Sequence, residues 1–214
     1  MVITWYGHAC FRIQSGDMVL AVDPYDKEIG LTPPRFRADA VLVTHGHYDH
    51  NNAAAIAGEP FIVSGPGEYE VKGVWITGIE TFHDTASGRE RGLNTIYKIT
   101  MEEITLLHMG DFGERELRES TLEAIGDVDV AMIPVGGTYT IDGTAAAKIV
   151  RQMEPGTVIP MHYKIPGLKA PLDTAEQFLK EMGATKTETV EKLVLKKKDV
   201  AEDKKTEVVV LKTA

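Results

Sequence analysis

Three histidines and one aspartate are crowded into the short segment THGHYDH, residues 44–50. The preceding run ADAVLVT is apolar and predicts a buried strand, so these polar residues follow at its carboxyl end, where loops build sites. His45 and His47 would point the same way on an extended backbone, while Asp49 and His50 come where the chain turns. Imidazole with carboxylate is the ligand set that zinc favours and that iron and manganese accept. The segment therefore predicts a metal site that the rest of the fold has to complete.

Three further residues of the same types follow other predicted strands. They are His83 in ETFHDT, Asp111 in LHMGDFG and His162 in VIPMHYK. A lone histidine at a strand end is most often a hydrogen-bonding residue and not a ligand. A metal site needs three or four ligands, however, and three such residues after an H-x-H-x-D-H run favour one composite site.

The remaining pattern predicts sheets covered by helices. Short apolar runs such as MVLAVDP, residues 18–24, indicate buried strands, and VKGVW predicts a hairpin that turns at Lys72 and Gly73. Helices are expected over NNAAAIAG after the histidine segment, over residues 113–126, after an N-cap at Asp142, and after an N-cap at Asp173 or Thr174. This alternation of strands and helices predicts an α/β (α+β) chain.

The length of 214 residues allows one large domain, and no linker divides the chain, so we expect a single domain over residues 1–214. The tail KLVLKKKDVAEDKKTEVVVLK alternates lysine with acidic residues between two β-prone runs. We expect it to form a charged hairpin that closes the domain, with a partner-binding arm as the alternative.

Charge and composition exclude several classes of function. The net charge of −9 argues against nucleic acid as a partner, because nucleic-acid binders usually carry a basic face. No apolar run approaches the ~18–20 residues that cross a bilayer, and the N-terminus lacks the pattern of a secretory signal. The single cysteine, Cys10, forms no internal disulfide and fits a reducing cytoplasm. We expect a cytoplasmic protein that acts on a small molecule; the oligomeric state is not readable from the sequence.

The ordered set of histidines and aspartates resembles the ligand motifs of the metallo-β-lactamase superfamily. Asp23, which closes the strand LAVDP, matches the structural aspartate that this family carries before its histidine motif. The segments YGHACFRI, GPGEYE, LHMGD and IPMHY are similar to the small, single-domain branch of Zn-dependent hydrolases that includes relatives of L-ascorbate 6-phosphate lactonase. The resemblance covers almost the whole chain.

The resemblance implies a four-layer αββα sandwich with the site at one edge, between two sheets. It also implies two divalent metal ions as cofactors, Zn²⁺ before Mn²⁺ or Fe. The implied ligands are His45, His47 and His83 for the first metal, Asp49, His50 and His162 for the second, and Asp111 as the bridge between them.

These ligands lead to a hypothesis about the reaction. Two divalent cations with two carboxylates and a hydroxide leave a small net positive charge, which favours anionic substrates and developing oxyanions. We expect a metal-dependent hydrolase in which a metal-bridging hydroxide attacks an ester, lactone or phosphodiester of a small anionic substrate. Asp49 would orient the hydroxide and Asp111 would bridge the metals. The leaving group needs a proton, and His8 is a candidate catalytic donor that faces the substrate or supports the ligands from behind, with a plain structural role as the alternative.

Several residues near these motifs are weaker candidates. Tyr48 and Tyr139 could contact the substrate, and Arg89 and Arg91 in SGRERG could meet an anionic group, although a solvated loop is the default for the two arginines. His108 is expected to support the ligands or pack in the core. Cys10 is expected to be a buried, inert thiol.

Three other functions remain as alternatives. A di-iron redox protein of the same fold typically has glutamate where this chain has His47, together with a fused flavin domain for which no residues remain. Nucleic-acid processing members usually carry an additional arm or domain. A non-catalytic metal-binding module would not need an open dinuclear site.

Overall fold

The computed structural model describes residues 1–200 and 205–214. Its β-strands, in chain order, are β1 (Val2–Gly7), β2 (Cys10–Ser15), β3 (Met18–Val22), β4 (Ala40–Val43), β5 (Phe61–Ser64), β6 (Gly67–Val71), β7 (Val74–Phe82), β8 (Leu93–Met101), β9 (Ile104–His108), β10 (Val130–Pro134), β11 (Thr157–Met161), β12 (Thr189–Val190), β13 (Leu193–Val194), β14 (Glu207–Val208) and β15 (Val210–Leu211). The α-helices are α1 (Glu119–Ile125), α2 (Gly143–Met153) and α3 (Glu176–Glu181), and single 3₁₀ turns cover Lys27–Ile29, Ala53–Ala55 and Lys197–Asp199.

Two large sheets contain most of these strands. The first has the order β13-β1-β2-β3-β4-β5 and the second the order β14-β11-β10-β9-β8-β7-β6, while β12 and β15 form a small separate pair. Strands β3, β4 and β5 are parallel to one another, as are β9, β10, β11 and β14. Parallel neighbours end at the same edge of a sheet, so the loops after β4, β9 and β11 are brought to the carboxyl edges of the two sheets.

The main core fills the space between the two sheets. Strand β1 alternates buried and half-buried residues, as expected for a strand with one face on the core. Strand β4, with the sequence AVLV, is buried throughout, because its two faces are both covered. Trp5 and Phe11 of the first sheet and Ile96 and Tyr97 of the second belong to one continuous apolar cluster. Burying a large apolar side chain stabilises the fold by roughly 1.5–3 kcal/mol.

The helices pack on the second sheet. Helix α2 packs on β10, α3 packs on α2, and α1 packs on β7. The side chain of Asp142 accepts a hydrogen bond from the Ala145 N–H at 2.8 Å, which confirms it as the N-cap of α2. The mixed α/β class with two sheets and few helices is therefore confirmed.

The outer face of the first sheet is covered differently. A small apolar cluster there contains Ala21, Val41 and Val43, and its cover is provided by loop residues such as Phe36. The helix expected over NNAAAIAG is a single 3₁₀ turn, Ala53–Ala55, so that prediction was wrong in extent. The outer helical layer that an αββα sandwich would have on the first sheet is therefore reduced to loops and a turn.

Two other helix boundaries differ from the sequence-based expectation. The segment before α1 is not helical, because Glu114 accepts a hydrogen bond from the Phe82 N–H and pairs with Arg118, which ties this segment to the end of β7. Helix α3 has Ala175 as its N-cap and not Asp173 or Thr174. The backbone of Asp173 bonds to Gly136 and Lys164 instead. In both places, tertiary hydrogen bonds outweigh the local helix signal.

The hairpin expected at Lys72 and Gly73 is confirmed, with β6 and β7 antiparallel and both turn residues at positive φ, 51° and 83°. The hairpin expected for the tail is wrong among the described residues. Strand β13 pairs with β1, and β14 pairs with β11, so the two β-prone runs of the tail lie on the open edges of different sheets. Residues 201–204 of that tail lie outside the described residues.

Hydrogen bonds join the two sheets next to the loop after β4. The Tyr97 hydroxyl in β8 donates to the Val43 carbonyl oxygen in β4 at 2.8 Å and accepts from the Gly65 N–H at 3.0 Å. The Thr95 N–H donates to the Thr44 carbonyl oxygen at 2.9 Å. These bonds fix the start of the histidine segment against the second sheet. In the described ranges, no helix has the length and apolar character needed to span a bilayer.

We predict that Tyr97→Phe destabilises the protein by about 1–3 kcal/mol, because the ring stays buried while a carbonyl oxygen and an N–H group lose a buried partner. The free energy of unfolding in urea is the measurement. Tyr69→Phe is the control, since the Tyr69 hydroxyl makes only long bonds of 3.2–3.4 Å at the surface. Equal stability of Tyr97→Phe and the unmodified protein would contradict the importance of the inter-sheet bond.

Candidate metal centre

Each predicted ligand lies in a loop that follows a strand, at the edge where the two sheets meet. His45, His47, Asp49 and His50 lie in the loop after β4, His83 follows β7, Asp111 follows β9 and His162 follows β11. His8 lies in the turn between β1 and β2. Since β4 belongs to the first sheet and the other three strands to the second, the structure brings ligands from both sheets together.

The side chains form three overlapping groups in which the ligand atoms lie within 4.8 Å of one another. One group has His45, His47 and His83, a second has His8, Asp49, His50 and His162, and a third has His45, His50 and Asp111. The first two groups share no residue, and the third connects them. The arrangement thus offers a candidate His/Asp metal site in which the group of Asp111 connects the other two.

The carboxylate of Asp111 is turned toward both groups. Its Oδ1 lies 3.2 Å from the Nε2 atoms of His50 and His162, and its Oδ2 lies 3.2 Å from Nε2 of His83. The backbone N–H of Asp111 donates to Oδ1 of Asn94 at 3.0 Å, and the Asn94 amide in turn donates to Thr81 and to the Met109 carbonyl oxygen. Asn94 therefore fixes the loop that presents the Asp111 carboxylate.

Asp23 orients two of the histidines from behind. Its Oδ2 accepts hydrogen bonds from the Thr44 hydroxyl at 2.7 Å and from Nδ1 of His50 at 2.8 Å, and its Oδ1 accepts from the Thr44 N–H at 2.8 Å. The Thr44 hydroxyl also lies 3.0 Å from Nδ1 of His45, where it can accept. Both rings are then protonated on Nδ1 and turn Nε2 toward the site, which is how carboxylates behind ligating histidines act.

The site contains unpaired polar atoms. In the part of the chain that the structure describes, every buried side-chain nitrogen or oxygen without a hydrogen-bond partner belongs to this cluster: Nδ1 of His8, Nε2 of His45, Nε2 of His50, Nδ1 of His83, Oδ1 of Asp111 and both ring nitrogens of His162. A buried polar atom without a partner costs about 1–3 kcal/mol. Their concentration at one point fits a bound cation, for which these lone pairs are ligands.

The electrostatics of the cluster keep the ligands in metal-binding form. Burial, reinforced by neighbouring histidines, lowers the pKa of His45 to about 3 and that of His8 to about 4. Burial alone would raise the pKa of Asp111, but His162 and His50 outweigh it and hold that pKa well below its usual range. Neutral imidazoles and an anionic carboxylate are the protonation states that metals require.

The pKa of His50 shifts in the opposite direction to those of His45 and His8. Burial would lower its pKa, but the carboxylates of Asp111 and Asp23 on its two sides raise it well above the usual value. The position between these two carboxylates therefore favours a positive charge.

The backbone is held in an uncommon conformation at three points of the site. His8, Asp23 and His162 have φ values of 53°, 45° and 52°, in the left-handed region that few non-glycine residues adopt. The His8 carbonyl oxygen accepts hydrogen bonds from the Trp5 indole N–H at 3.0 Å and the His162 backbone N–H at 2.9 Å. The bond from His162 joins the second sheet to the first, and both bonds hold the strained turns at His8 and His162 in place.

Gly110 allows the loop of Asp111 to approach the first sheet. It has a φ of 53°, and a Cβ added there would lie 2.4 Å from Oδ1 of Asn94 and 2.7 Å from Cβ of Thr44. Any side chain would separate Asp111 from the histidine segment.

A cavity of about 670 Å³ opens over the cluster. Besides His8, His47, Asp49, His83 and Asp111, its lining consists of Glu28, Ile29, Gly46, Tyr48, Arg91, Tyr139, Leu168, Lys169, Ala170 and Pro171. Tyr48, Tyr139 and Arg91, the weaker candidates from the sequence, thus face this space. Arg89 does not line it and instead donates to the Ala86 carbonyl oxygen on an exposed loop.

Two other sequence expectations concern buried residues near the site. His108 is fully buried, bonds through Nε2 to the Ala9 carbonyl oxygen and accepts from the Gly110 N–H, and it belongs to none of the three ligand groups. Cys10 is a buried free thiol, and burial raises its pKa well above the usual value, so it is unreactive.

Sequence reasoning missed three residues that the structure places at the site. Thr44 and Asn94 support the ligands from behind, and Asp84 organises the loop after His83. Only Asp84 had a local signal, since an aspartate followed by small and glycine residues favours a turn that its carboxylate closes.

Comparisons with known proteins agree with this geometry. Residues 2–162 match the family described as the beta-lactamase superfamily domain. A UPF0173 metal-dependent hydrolase of Thermoplasma acidophilum is 32% identical over 190 residues, which cover 75% of this chain and 82% of the relative. A relative of the same designation from Thermococcus onnurineus is 28% identical, with 94% of this chain and 98% of the relative covered.

A solved structure supports the same conclusion. The crystal structure of a candidate Zn-dependent hydrolase of the metallo-β-lactamase superfamily from Thermotoga maritima superposes with a TM-score of 0.80 at 34% identity, covering 99% of each chain. The family resemblance noted in the sequence is thereby confirmed.

We predict that Asp23→Asn weakens metal binding about 10–100-fold, because an amide has one acceptor oxygen where the carboxylate accepts three hydrogen bonds. The measurement is a titration of the chelator-treated protein with Zn²⁺. Asp129→Asn is the matched control, since among the described residues its carboxylate accepts a hydrogen bond only from the Thr105 N–H, at 2.7 Å and away from the cluster. A normal affinity in Asp23→Asn would show that Asp23 does not orient the ligands.

Proposed function

From the membership of this chain in the metallo-β-lactamase superfamily, and from the site described above, we propose that it is a metal-dependent hydrolase with two divalent cations. The proposed substrate is a small anionic ester, lactone or phosphodiester. The observation that carries the proposal is the pair of ligand groups with the Asp111 carboxylate between them. One group of three histidines and another of histidines with Asp49 are each sufficient to hold one cation.

The chemistry follows from what such a pair of cations provides. When bound, the cations would supply Lewis acidity and would lower the pKa of a bound water to about 7, so that hydroxide would be available as a nucleophile at neutral pH. Asp111 holds the two ligand groups together through its two oxygens. The Asp49 side chain is partly exposed and lines the cavity, so it is placed to ligate and also to accept a hydrogen bond from the nucleophile.

Zinc is the proposed metal, since a set dominated by imidazole with carboxylates is the one zinc favours, and Mn²⁺ or Fe would also fit. We propose that residues 1–214 act as one domain, because the last strands of the chain pair with both large sheets. The buried free thiol of Cys10 supports a reducing compartment, the cytoplasm, as the location.

The first prediction of this proposal concerns metal content. Protein purified without chelator should contain two metal ions per chain and should hydrolyse simple esters or phosphodiesters, with loss of activity on chelation and recovery on adding Zn²⁺. Asp111→Ala should lose both metal and activity, because the carboxylate between the two groups is removed. Elemental analysis and turnover measure the two effects.

Asp17→Ala, an exposed aspartate in the turn between β2 and β3, is the matched control and should keep full metal and activity. A fully metallated and fully active Asp111→Ala protein would refute the bridging role. Two irons per chain with oxygen-dependent activity would favour the redox alternative instead.

A second prediction concerns His8, which we propose to be a positioning residue for the second cation. Its Nε2 lies 3.1 Å from Oδ2 of Asp49, its ring centroid lies 4.1 Å from that of His162, and its carbonyl oxygen accepts from the His162 N–H. His8 thus contacts two ligands of the same group that come from different sheets. As a hydrogen-bond donor it would direct the other oxygen of Asp49 to the metal.

His8→Ala should therefore weaken binding of the second cation about 10–100-fold and leave the first almost unchanged. His8→Gln places an amide nitrogen near the position of Nε2 and should retain most of the affinity. Both variants have the same left-handed backbone strain, which makes them a matched pair. Stepwise dissociation constants from Zn²⁺ titration, with the thermal unfolding of each chelator-treated variant, measure the effect. Equal loss in both variants would mean that the imidazole itself ligates.

A further inference from the structure

The two walls of the cavity differ in chemical character. The loop that follows His83 supplies one wall, with Arg91 and, beside it, Tyr139. The segment that follows His162 supplies a second, mainly apolar wall, with the buried side chain of Leu168 next to Ala170 and Pro171, and the buried Ile29 of the turn Lys27–Ile29 completes it. Arg91 and Leu168 thus lie in two loops that each begin at a predicted ligand, and both line the same cavity.

The charged wall is preformed by Asp84. This almost fully buried aspartate accepts four backbone hydrogen bonds, from Ala86 at 2.7 Å and Gly88 at 2.9 Å on Oδ1, and from Glu90 at 3.0 Å and Arg91 at 2.8 Å on Oδ2. The His83 N–H also bonds to the Gly92 carbonyl oxygen at 3.1 Å, which closes the loop at its base. Arg91 therefore starts from a fixed backbone.

The guanidinium group of Arg91 is held but not neutralised. It lies 4.9 Å from the ring centroid of Tyr139 and donates to the Thr138 carbonyl oxygen at 3.3 Å. Among the described residues, no carboxylate oxygen lies within salt-bridge distance of it. A planar cation with unused donors in a cavity is suited to a carboxylate or phosphate group.

The second wall is mainly apolar and is fixed by hydrogen bonds. The Lys169 N–H donates to the Ile29 carbonyl oxygen at 2.9 Å, so the segment around Leu168 is bound to the 3₁₀ turn Lys27–Ile29. The Thr138 hydroxyl donates to the Pro171 carbonyl oxygen at 2.8 Å, which sets the distance between the two walls. Glu28 and Lys169, which also line the cavity, are exposed residues.

We infer that this site selects amphiphilic anions: esters or lactones that carry a carboxylate or phosphate group for Arg91 and an apolar portion for the wall formed by Ile29, Leu168, Ala170 and Pro171. The inference rests on the proposed hydrolase function and names its substrate class. Arg91 binds the carboxylate or phosphate group of the substrate. Asp84 is a positioning residue that acts by fixing the backbone of Arg91.

The chain itself offers a matched control. Arg89 lies two residues away in the same loop, but it bonds to the Ala86 carbonyl oxygen and does not line the cavity. Arg91→Met and Arg89→Met remove the same charge from the same loop, so long-range electrostatic effects are nearly equal in both variants. Only direct contact with the substrate distinguishes them.

The test uses the metal-loaded protein and para-nitrophenyl esters that differ only at the far end: a hydrogen glutarate with a free carboxylate, its neutral amide, and an analogue with a phosphate. Arg91→Met should raise KM for the two anionic esters about 10–100-fold with kcat nearly unchanged, and leave the neutral amide unaffected. Arg89→Met should change none of them. Asp84→Asn should reproduce part of the Arg91→Met effect. The two anionic arms show whether carboxylate or phosphate is preferred.

If none of these esters is hydrolysed, that result counts against the proposed function and not against this inference. A binding measurement tests the inference in that case. Calorimetric titration with phenylacetate, phenylphosphonate and neutral phenylacetamide should show about 10-fold weaker binding of the two anions to Arg91→Met than to Arg89→Met. Leu168→Ser should weaken phenylacetate relative to acetate. Equal binding of the anions to the two arginine variants, or equal loss for anionic and neutral compounds, would overturn the inference.

Discussion

The hydrogen bonds of the Asp23 carboxylate are the interaction on which the site depends. One fully buried anion accepts from the Thr44 backbone, the Thr44 hydroxyl and the His50 ring, and through Thr44 it also controls the ring of His45. His45 of the first ligand group and His50 of the second, which also share the third group, are thus fixed by the same carboxylate. A buried charge is tolerated only where several donors satisfy it, and here the donors are the residues that have to be oriented.

The second requirement is that two sheets meet at one edge. The bonds from Tyr97 to Val43, from Thr95 to Thr44 and from His162 to His8 all cross between the sheets close to the ligands. Packing of the core alone is non-directional and would leave the relative position of the sheets free to shift. Directional bonds at the edge fix it to within the tolerance that metal ligands need.

Much of this arrangement was predictable from the sequence, for physical reasons. Ligand types recur at the ends of buried strands, and those strands stand out as apolar runs, so the positions of His83, Asp111 and His162 along the chain were enough to group them with the histidine segment. The supporting residues Asn94 and Thr44 could not be found in this way, because their role depends on which loops meet in space. The same holds for the tail, whose two β-prone runs looked like a hairpin but lie on the edges of different sheets. Edge pairing is decided by the whole sandwich and leaves no local pattern.

The left-handed backbone at His8, Asp23 and His162 has a consequence for the evolution of such a site. Histidine, aspartate and asparagine are the non-glycine residues that enter this conformation most readily. The residue types that bind or orient a metal are therefore also among the few that accept the left-handed backbone conformation at these three positions. If a related protein lost the metal, few other residue types would fit the backbone conformation at these positions. We therefore expect histidine and aspartate to be retained there even where no metal is bound.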